Sequence, residues 1–228
     1  MASTMLLCFC MQVSAVELTP ISLQLKWTHQ FQFAGYYAAK ELGYYEEEGL
    51  DVEIYEFNYT DAVVDKVVNG EVDFGIGDST ILAEFVNGQP IVALSAIIQE
   101  NPLALFAKKS SNISKPSDLI GKKVMFDKAG VGGAAIQAML IKQGINPSKY
   151  VSLEHDYNYQ GLIDVTVDAI SGYLTGATYF YKSHNIPINI IKPQSYGVNF
   201  YGDILFTSQQ MLKQNPETVE KFKKASLK

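Results

Sequence analysis

Arginine is absent from this chain: all 18 basic residues are lysine. Without a guanidinium fork the protein cannot form the bidentate clamp that suits carboxylate and sulfonate ligands, so amino acids and sulfonates rank low as ligands. Cysteine is scarce too, and both copies, Cys8 and Cys10, fall near the start. Once that leader is removed, no thiol, disulfide or cysteine metal site remains, which excludes thiol chemistry. The histidines are limited to His29, His155 and His184, without the i, i+4 spacing of a zinc site, so neither a metal nor a cofactor is expected. A net charge of −6 with no basic cluster argues against a nucleic-acid partner, because phosphate contacts need basic side chains in number. Beyond the leader, no apolar run approaches the length of a membrane span.

Residues 1–15, MASTMLLCFCMQVSA, carry no charged side chain and join a short apolar run to Val13-Ser14-Ala15, a small-residue cleavage pattern. They read as a signal peptide cut before Val16, although the positive n-region of such peptides is missing. The mature chain is then expected in the periplasm or another extracytoplasmic space. A lipid anchor on either cysteine has little support, since Leu7 and Phe9 precede them where a small residue belongs. The 228 residues, 47% of them hydrophobic, suffice for one large or two small domains. Aromatics reach 12%, with 14 Tyr and 12 Phe, and can stack a planar ring and bond its edge, although most belong to the core.

The chain is organised around Leu23–Tyr45. Ile21, Leu23 and Leu25 alternate as a strand, and after the polar turn Thr28-His29-Gln30 the positions Phe31, Ala34, Ala38, Leu42 and Tyr45 share a helical face. A strand feeding a helix is half of a βαβ unit, and ligands of open α/β sheets sit outside the carboxyl ends of such strands, where Trp27 and His29 lie. A second strand (51–57), a helix capped by Thr60 or Asp61, and a third strand through Val72, Phe74 and Ile76 follow. The third strand runs into Gly77-Asp78-Ser79-Thr80 and a helix N-terminus. Asp78 and Ser79 there either cap the helix or contact a ligand. Pro90–Ile98 reads as a buried parallel strand.

Lys108–Ser117 is polar and marks passage into a second lobe. Strands are expected at 122–126, 150–153, 167–170 and 186–191, with helices over 134–143 and 160–165. Gly130, Gly132 and Ala135 satisfy G-x-G-x-x-A on paper. The run sits mid-chain after other βα units, so a tight turn explains it better than a dinucleotide site. Gly133 extends the same glycine-rich turn as Gly130 and Gly132. Val167-Asp168-Ala169-Ile170 echoes Val72–Ile76, which suits two lobes of similar topology.

The run from Trp27 to Val52, W-T-H-Q-x-Q-F-A-G-Y-Y-x-A-K-E-x-G-Y-Y-x-x-x-G-L-D-V, together with Gly70–Ser79 (GEVDFGIGDS) and Tyr196–Ser208 (YGVNFYGDILFTS), resembles the NMT1/THI5-like family. The resemblance implies an α/β, two-lobed periplasmic-binding-protein fold of type II, with residues 16–100 and 200–228 in the first lobe and 101–199 in the second. A two-stranded hinge near 99–104 and 198–203 would let the lobes close, with Gly202 absorbing the backbone change. It also implies a solute-binding protein for thiamine-pyrimidine precursors, delivering its small-molecule ligand to the membrane permease of an ABC transporter. The Tyr196–Ser208 run is equally similar to sensory domains fused to a membrane signalling module. The family's eukaryotic pyrimidine synthases use a histidine, a lysine-bound pyridoxal cofactor and a cysteine-rich motif. That motif has no counterpart here, so no enzyme is expected. Where many relatives continue with Asn-Glu-Pro, this chain has Gly176-Ala177-Thr178 and lacks a carboxylate. The expected ligand contacts are Trp27 by stacking, His29, Gln32 and Tyr36 beside it, Asp78 accepting, Ser79 donating, the three glycines, Tyr173 from the second lobe and Tyr201 from the hinge.

Overall fold

The computed structural model describes residues 17–58, 62–128 and 131–228. The expected signal peptide, both cysteines, the Thr60 or Asp61 cap and Gly130 lie outside these residues. Strand β1 (Thr19–Gln24) buries Ile21 and Leu23 and ends where the site begins. The helix expected from Phe31 begins instead as one 3₁₀ turn, Phe31–Phe33, before α1 (Ala34–Glu41), and Gly43 at φ 77° separates α2 (Tyr44–Glu47). The buried stripe is Phe33, Tyr36, Ala39 and Tyr45, whereas Phe31 is 90% and Leu42 62% exposed. A 3₁₀ turn has about 3.0 residues rather than about 3.6, so a helical count begun at Phe31 runs out of phase. Alanines on both faces hid the error.

The chain continues through β2 (Leu50–Tyr55), α3 (Val63–Val68), β3 (Phe74–Gly77), α4 (Ile81–Val86) and β4 (Ile91–Ala96). It crosses to β5 (Leu103–Lys108), β6 (Lys123–Met125), α5 (Val131–Lys142), β7 (Val151–Leu153), α6 (Gln160–Ile163), β8 (Ala169–Tyr173), α7 (Leu174–Ser183) and β9 (Ile188–Ile191). It returns as β10 (Ile204–Ser208), α8 (Gln209–Gln214) and α9 (Pro216–Ser226).

Two five-stranded sheets result, ordered β2-β1-β3-β10-β4 and β7-β6-β8-β5-β9. In each, three strands run parallel and the fourth, antiparallel to its neighbours, is contributed by a crossing of the chain. The expectation of a buried parallel strand at 90–98 is therefore corrected: β4 is an antiparallel edge strand, only partly buried. An apolar run signals burial but not direction.

Strands β3 and β8 hold the same place in the two sheets, and a shared aspartate explains their sequence echo. Asp73 Oδ2 accepts from the Ser22 N–H (2.8 Å) and hydroxyl (2.7 Å), and Asp168 Oδ2 accepts from the Lys123 N–H (2.8 Å). Each carboxylate ties the start of its strand to the neighbouring parallel strand. Helix α9 packs on the first sheet, where Phe222 stacks between Phe74 (centroids 4.0 Å apart) and Tyr45 (5.3 Å).

The two sheets meet at a pair of hydrogen-bonded crossings. The Ile97 and Ile98 N–H groups donate to Asp203 O (2.8 and 3.1 Å), Gly202 N–H to Ile98 O (2.7 Å) and Asn101 N–H to Phe200 O (3.0 Å). Gly202 is set by packing between the crossings. It is buried, and a Cβ there would meet Ile98 Cγ2 at 2.7 Å, so glycine serves the close approach of the two crossings. Gly202→Ala is expected to lose about 1–3 kcal/mol of stability through overpacking. Urea unfolding checks this, and a loss below about 0.5 kcal/mol, the scale of a neutral surface change, would contradict it. Among the described residues, no helix is long and apolar enough to cross a membrane.

Candidate ligand-binding cleft

The carboxyl ends of β1, β3 and β8 and the hinge converge on one side chain, Lys26. Its ammonium lies 2.8 Å from Asp203 Oδ1 and 3.6 Å from Asp78 Oδ2, and it donates to the Tyr173 hydroxyl at 3.2 Å. The first lobe supplies Lys26 and Asp78, the hinge Asp203, and the second lobe Tyr173, so the cluster bridges the cleft. Burial pulls the ammonium toward neutrality, but Tyr173, Asp203 and Asp78 more than reverse this and raise its pKa above the ordinary lysine value. Lys26 is therefore a fixed cation. Gln32 Nε2 donates to both oxygens of Asp203 at 2.9 Å, holding the fully buried carboxylate in place.

Asp78 divides its two oxygens. Oδ1 accepts from the Thr80 N–H (3.0 Å) and hydroxyl (2.7 Å), fixing the turn before α4, while Oδ2 faces Lys26 and the cleft. Asp78 thus fixes the turn that ends in Thr80, the N-cap of α4, and leaves Oδ2 toward the cleft. Tyr173 is polarised: its oxygen accepts from Lys26, so its own proton points elsewhere. Burial, more than any other influence, raises its pKa and keeps the phenol protonated.

Trp27, half-buried on the first-lobe core, meets Tyr157 of the second lobe with ring centroids 5.2 Å apart and planes tilted by 52°. Tyr157 has φ 54°, an uncommon conformation for a bulky side chain, and its ring is 55% exposed. His155 braces it. The Tyr157 N–H donates to His155 Nδ1 (2.7 Å), which assigns the proton to Nε2, and Nε2 donates to Ser171 O (2.8 Å). The rings of His155 and Tyr157 lie 5.1 Å apart and continue the aromatic wall begun by Trp27.

The remaining expected contacts separate. Ser79 staples the hinge: its Oγ accepts from the Tyr201 N–H (2.9 Å) and donates to Tyr201 O (3.2 Å), leaving the Tyr201 ring 51% exposed. Gln32 serves Asp203. Tyr36 packs in the first-lobe core. Its ring is buried, its hydroxyl has no protein partner among the described residues, and burial, followed by Tyr45 and Asp203, raises its pKa. His29 turns the other way, into a surface pocket with Tyr37, Lys40, Glu53 and Ile54, bonding the Tyr37 hydroxyl and, through its N–H, Glu56. Gly132 lies in the first turn of α5. Gly133 is explained by packing, because a Cβ there would sit 1.9 Å from the Asp127 carbonyl oxygen. Ala177 is fully buried in the core of the second lobe. The carboxylate of Asp78 faces the cleft.

Lys26, Asp203, His155 and Tyr157 escaped the sequence reading. Lys26 did carry a signal, since it is the residue beside Trp27 at the end of the first strand. The other three depend on segments distant in sequence.

Two mixed α/β lobes joined by two crossings, with side chains of both lobes meeting in the cleft, define a type II periplasmic-binding-protein fold. A family model described as NMT1/THI5 like matches residues 30–228, and the chain belongs to that family. It is 25% identical over 218 residues to the riboflavin-binding protein RibY of Chloroflexus aurantiacus, covering 92% of this chain and 61% of that protein. It is 27% identical over 219 residues to a 4-amino-5-hydroxymethyl-2-methylpyrimidine phosphate synthase of Legionella pneumophila, covering 90% of this chain and 66% of that protein. A formylaminopyrimidine-binding protein of Halalkalibacterium halodurans is 24% identical over 227 residues, covering 92% and 65%. The chain thus spans less than two thirds of the length of these relatives. The periplasmic aliphatic sulphonate-binding protein SsuA of Escherichia coli superposes with a TM-score of 0.74 at 15% identity, over 91% of this chain and 72% of that one. At that identity the likeness concerns the fold alone.

Proposed function

We propose that this protein is an extracytoplasmic solute-binding protein that closes over a small planar ligand of the aminopyrimidine class and delivers it to the permease of an ABC transporter. The observation that carries the reading is the pairing of a polarised donor, the Tyr173 hydroxyl, with an acceptor, Asp78 Oδ2, both on Lys26 and from opposite lobes. An aminopyrimidine edge places a ring-nitrogen acceptor next to an amino donor, the complement of that pair. Trp27, in the neighbouring turn position, supplies a stacking face. Relatives named for formylaminopyrimidine binding and for synthesis of a phosphorylated aminopyrimidine favour the same class. Sulfonates fit poorly, because the chain has no arginine and Lys26 is already paired with two carboxylates.

The reading is binding without turnover: a Schiff-base lysine at this position would need a lowered pKa, and that of Lys26 is raised. Native mass spectrometry of the purified protein, followed by thermal-shift titration with 4-amino-5-hydroxymethyl-2-methylpyrimidine and riboflavin, tests the reading. The pyrimidine is expected to stabilise the protein and to be recovered unchanged. Stabilisation by riboflavin alone, or conversion of the pyrimidine, would contradict it.

A further inference from the structure

We infer that Lys26 sets the charge class of the ligand, restricting the cleft to neutral planar molecules. The inference rests on the binding site proposed above and deepens it. Lys26 occupies the position between two carboxylates where a ligand cation would otherwise sit, 2.8 Å from Asp203 and 3.6 Å from Asp78. Its side chain is only 15% exposed, and that of Asp203 is 1% exposed, so water screens this trio weakly. One ammonium against two carboxylates leaves a single net negative charge.

The distribution of that charge decides what can bind. Asp203 is held inside the cluster, with Lys26 on Oδ1 and the Gln32 amide nitrogen 2.9 Å from both oxygens. Asp78 Oδ2 has the longer Lys26 contact and can take one further donor, while Oδ1 is engaged by Thr80. The cleft therefore has acceptor capacity for one neutral N–H. A ligand carrying its own positive charge would gain from Asp78 but meet the Lys26 ammonium across the same carboxylate. An anionic ligand would meet Asp78. Lys26 also bonds the Tyr173 oxygen and so orients that hydroxyl as a donor to a ring nitrogen. A neutral ring presenting an N–H beside an unprotonated nitrogen satisfies both groups, and no permanent cation of comparable size does so without repulsion.

The test uses two probes that share the N3/amino edge: 4-amino-2-methylpyrimidine and the same ring methylated at N1, which makes the conjugated ring a permanent cation and leaves N3 unprotonated. Calorimetry on the parent protein at pH 7.5 is expected to give at least tenfold tighter binding of the neutral ring. Lys26→Met is expected to move that ratio at least tenfold toward the cation, because two carboxylates then lack their counter-ion. The single variant leaves Asp203 uncompensated and could unfold. The double variant Lys26→Met/Asp203→Asn removes one charge of each sign and so avoids the uncompensated Asp203, but it leaves Asp78 facing the ligand without the ammonium, so its ratio is also expected to move toward the cation by more than about threefold, although both affinities fall with the lost Tyr173 contact. A parent that prefers the cation, a folded Lys26→Met with an unchanged ratio, or a folded double variant with an unchanged ratio would overturn the role of Lys26 while leaving the pyrimidine reading intact. A parent that binds neither ring would overturn the pyrimidine reading and this inference with it.

Discussion

Replacing Asp203 with alanine is expected to lower stability by about 3–5 kcal/mol, the cost of leaving a buried ammonium without its partner. Asp203 is fully buried in the hinge, accepts from Lys26 and, on both oxygens, from the Gln32 side-chain amide, and its own carbonyl receives the Ile97 and Ile98 N–H groups. Alanine preserves those backbone bonds, so the loss isolates the side chain. Asp203→Asn keeps the shape and part of the hydrogen bonding and should lose less. The double variant Asp203→Ala/Lys26→Met removes both charges and should recover part of the loss, since the penalty lies in the orphaned ion rather than in the absent pair. Urea unfolding of the three proteins decides, and a loss under about 1 kcal/mol for Asp203→Ala, the scale of an exposed ion pair, would contradict a buried, coupled cluster. The fold raises the pKa of Lys26, so its stabilisation is complete at neutral pH. It declines only as the pH climbs past the ordinary lysine value toward the folded one.

Replacing Trp27 with alanine is expected to weaken ligand binding roughly a hundredfold. A stacked ring contributes about 1 kcal/mol beyond its area, and covering roughly 80 Å² of apolar surface adds about 2 kcal/mol. Trp27 is half-buried at the edge of the first-lobe core and against Tyr157, so the substitution opens no sealed cavity and the fold should persist. Trp27→Phe retains a ring face and should keep part of the affinity. Calorimetric titration with 4-amino-5-hydroxymethyl-2-methylpyrimidine is the check. Undiminished binding by a folded Trp27→Ala would place the ligand elsewhere, and cooperative unfolding of that variant would make Trp27 a core residue.

The Tyr157 ring leans on Trp27 at a tilt, and a centroid separation of 5.2 Å leaves no space for a third ring between them. A ligand that stacks on this face of Trp27 must displace Tyr157, whose left-handed backbone on the His155 brace marks it as a local strain point. The aromatic wall is thus also the place where the two lobes touch.

Sequence reasoning located the strand ends well because alternation and glycine stops are local. It placed Trp27, Asp78 and Tyr173 in one cleft because strand carboxyl ends in an α/β sheet face the same way. It mistook the buried face of the first helix, where a 3₁₀ turn shifted the helical phase and an alanine-rich helix offered no contrast between faces, and it did not foresee that His29 turns toward the surface. Strand direction at β4 was equally beyond it, since the antiparallel partner β10 arrives from more than a hundred residues later in the chain. Lys26 was passed over because a lysine beside a tryptophan looks like an ordinary surface charge. Only the meeting of β1, β3, β8 and the hinge turns it into the centre of the site.

Trp27 is the only tryptophan in the chain, so its emission reports directly on the claim that the ligand binds in the cleft between the lobes. In a titration with 4-amino-5-hydroxymethyl-2-methylpyrimidine, the emission is expected to change saturably, with a midpoint equal to the calorimetric Kd. Calorimetric binding that leaves the Trp27 emission unchanged would contradict the account.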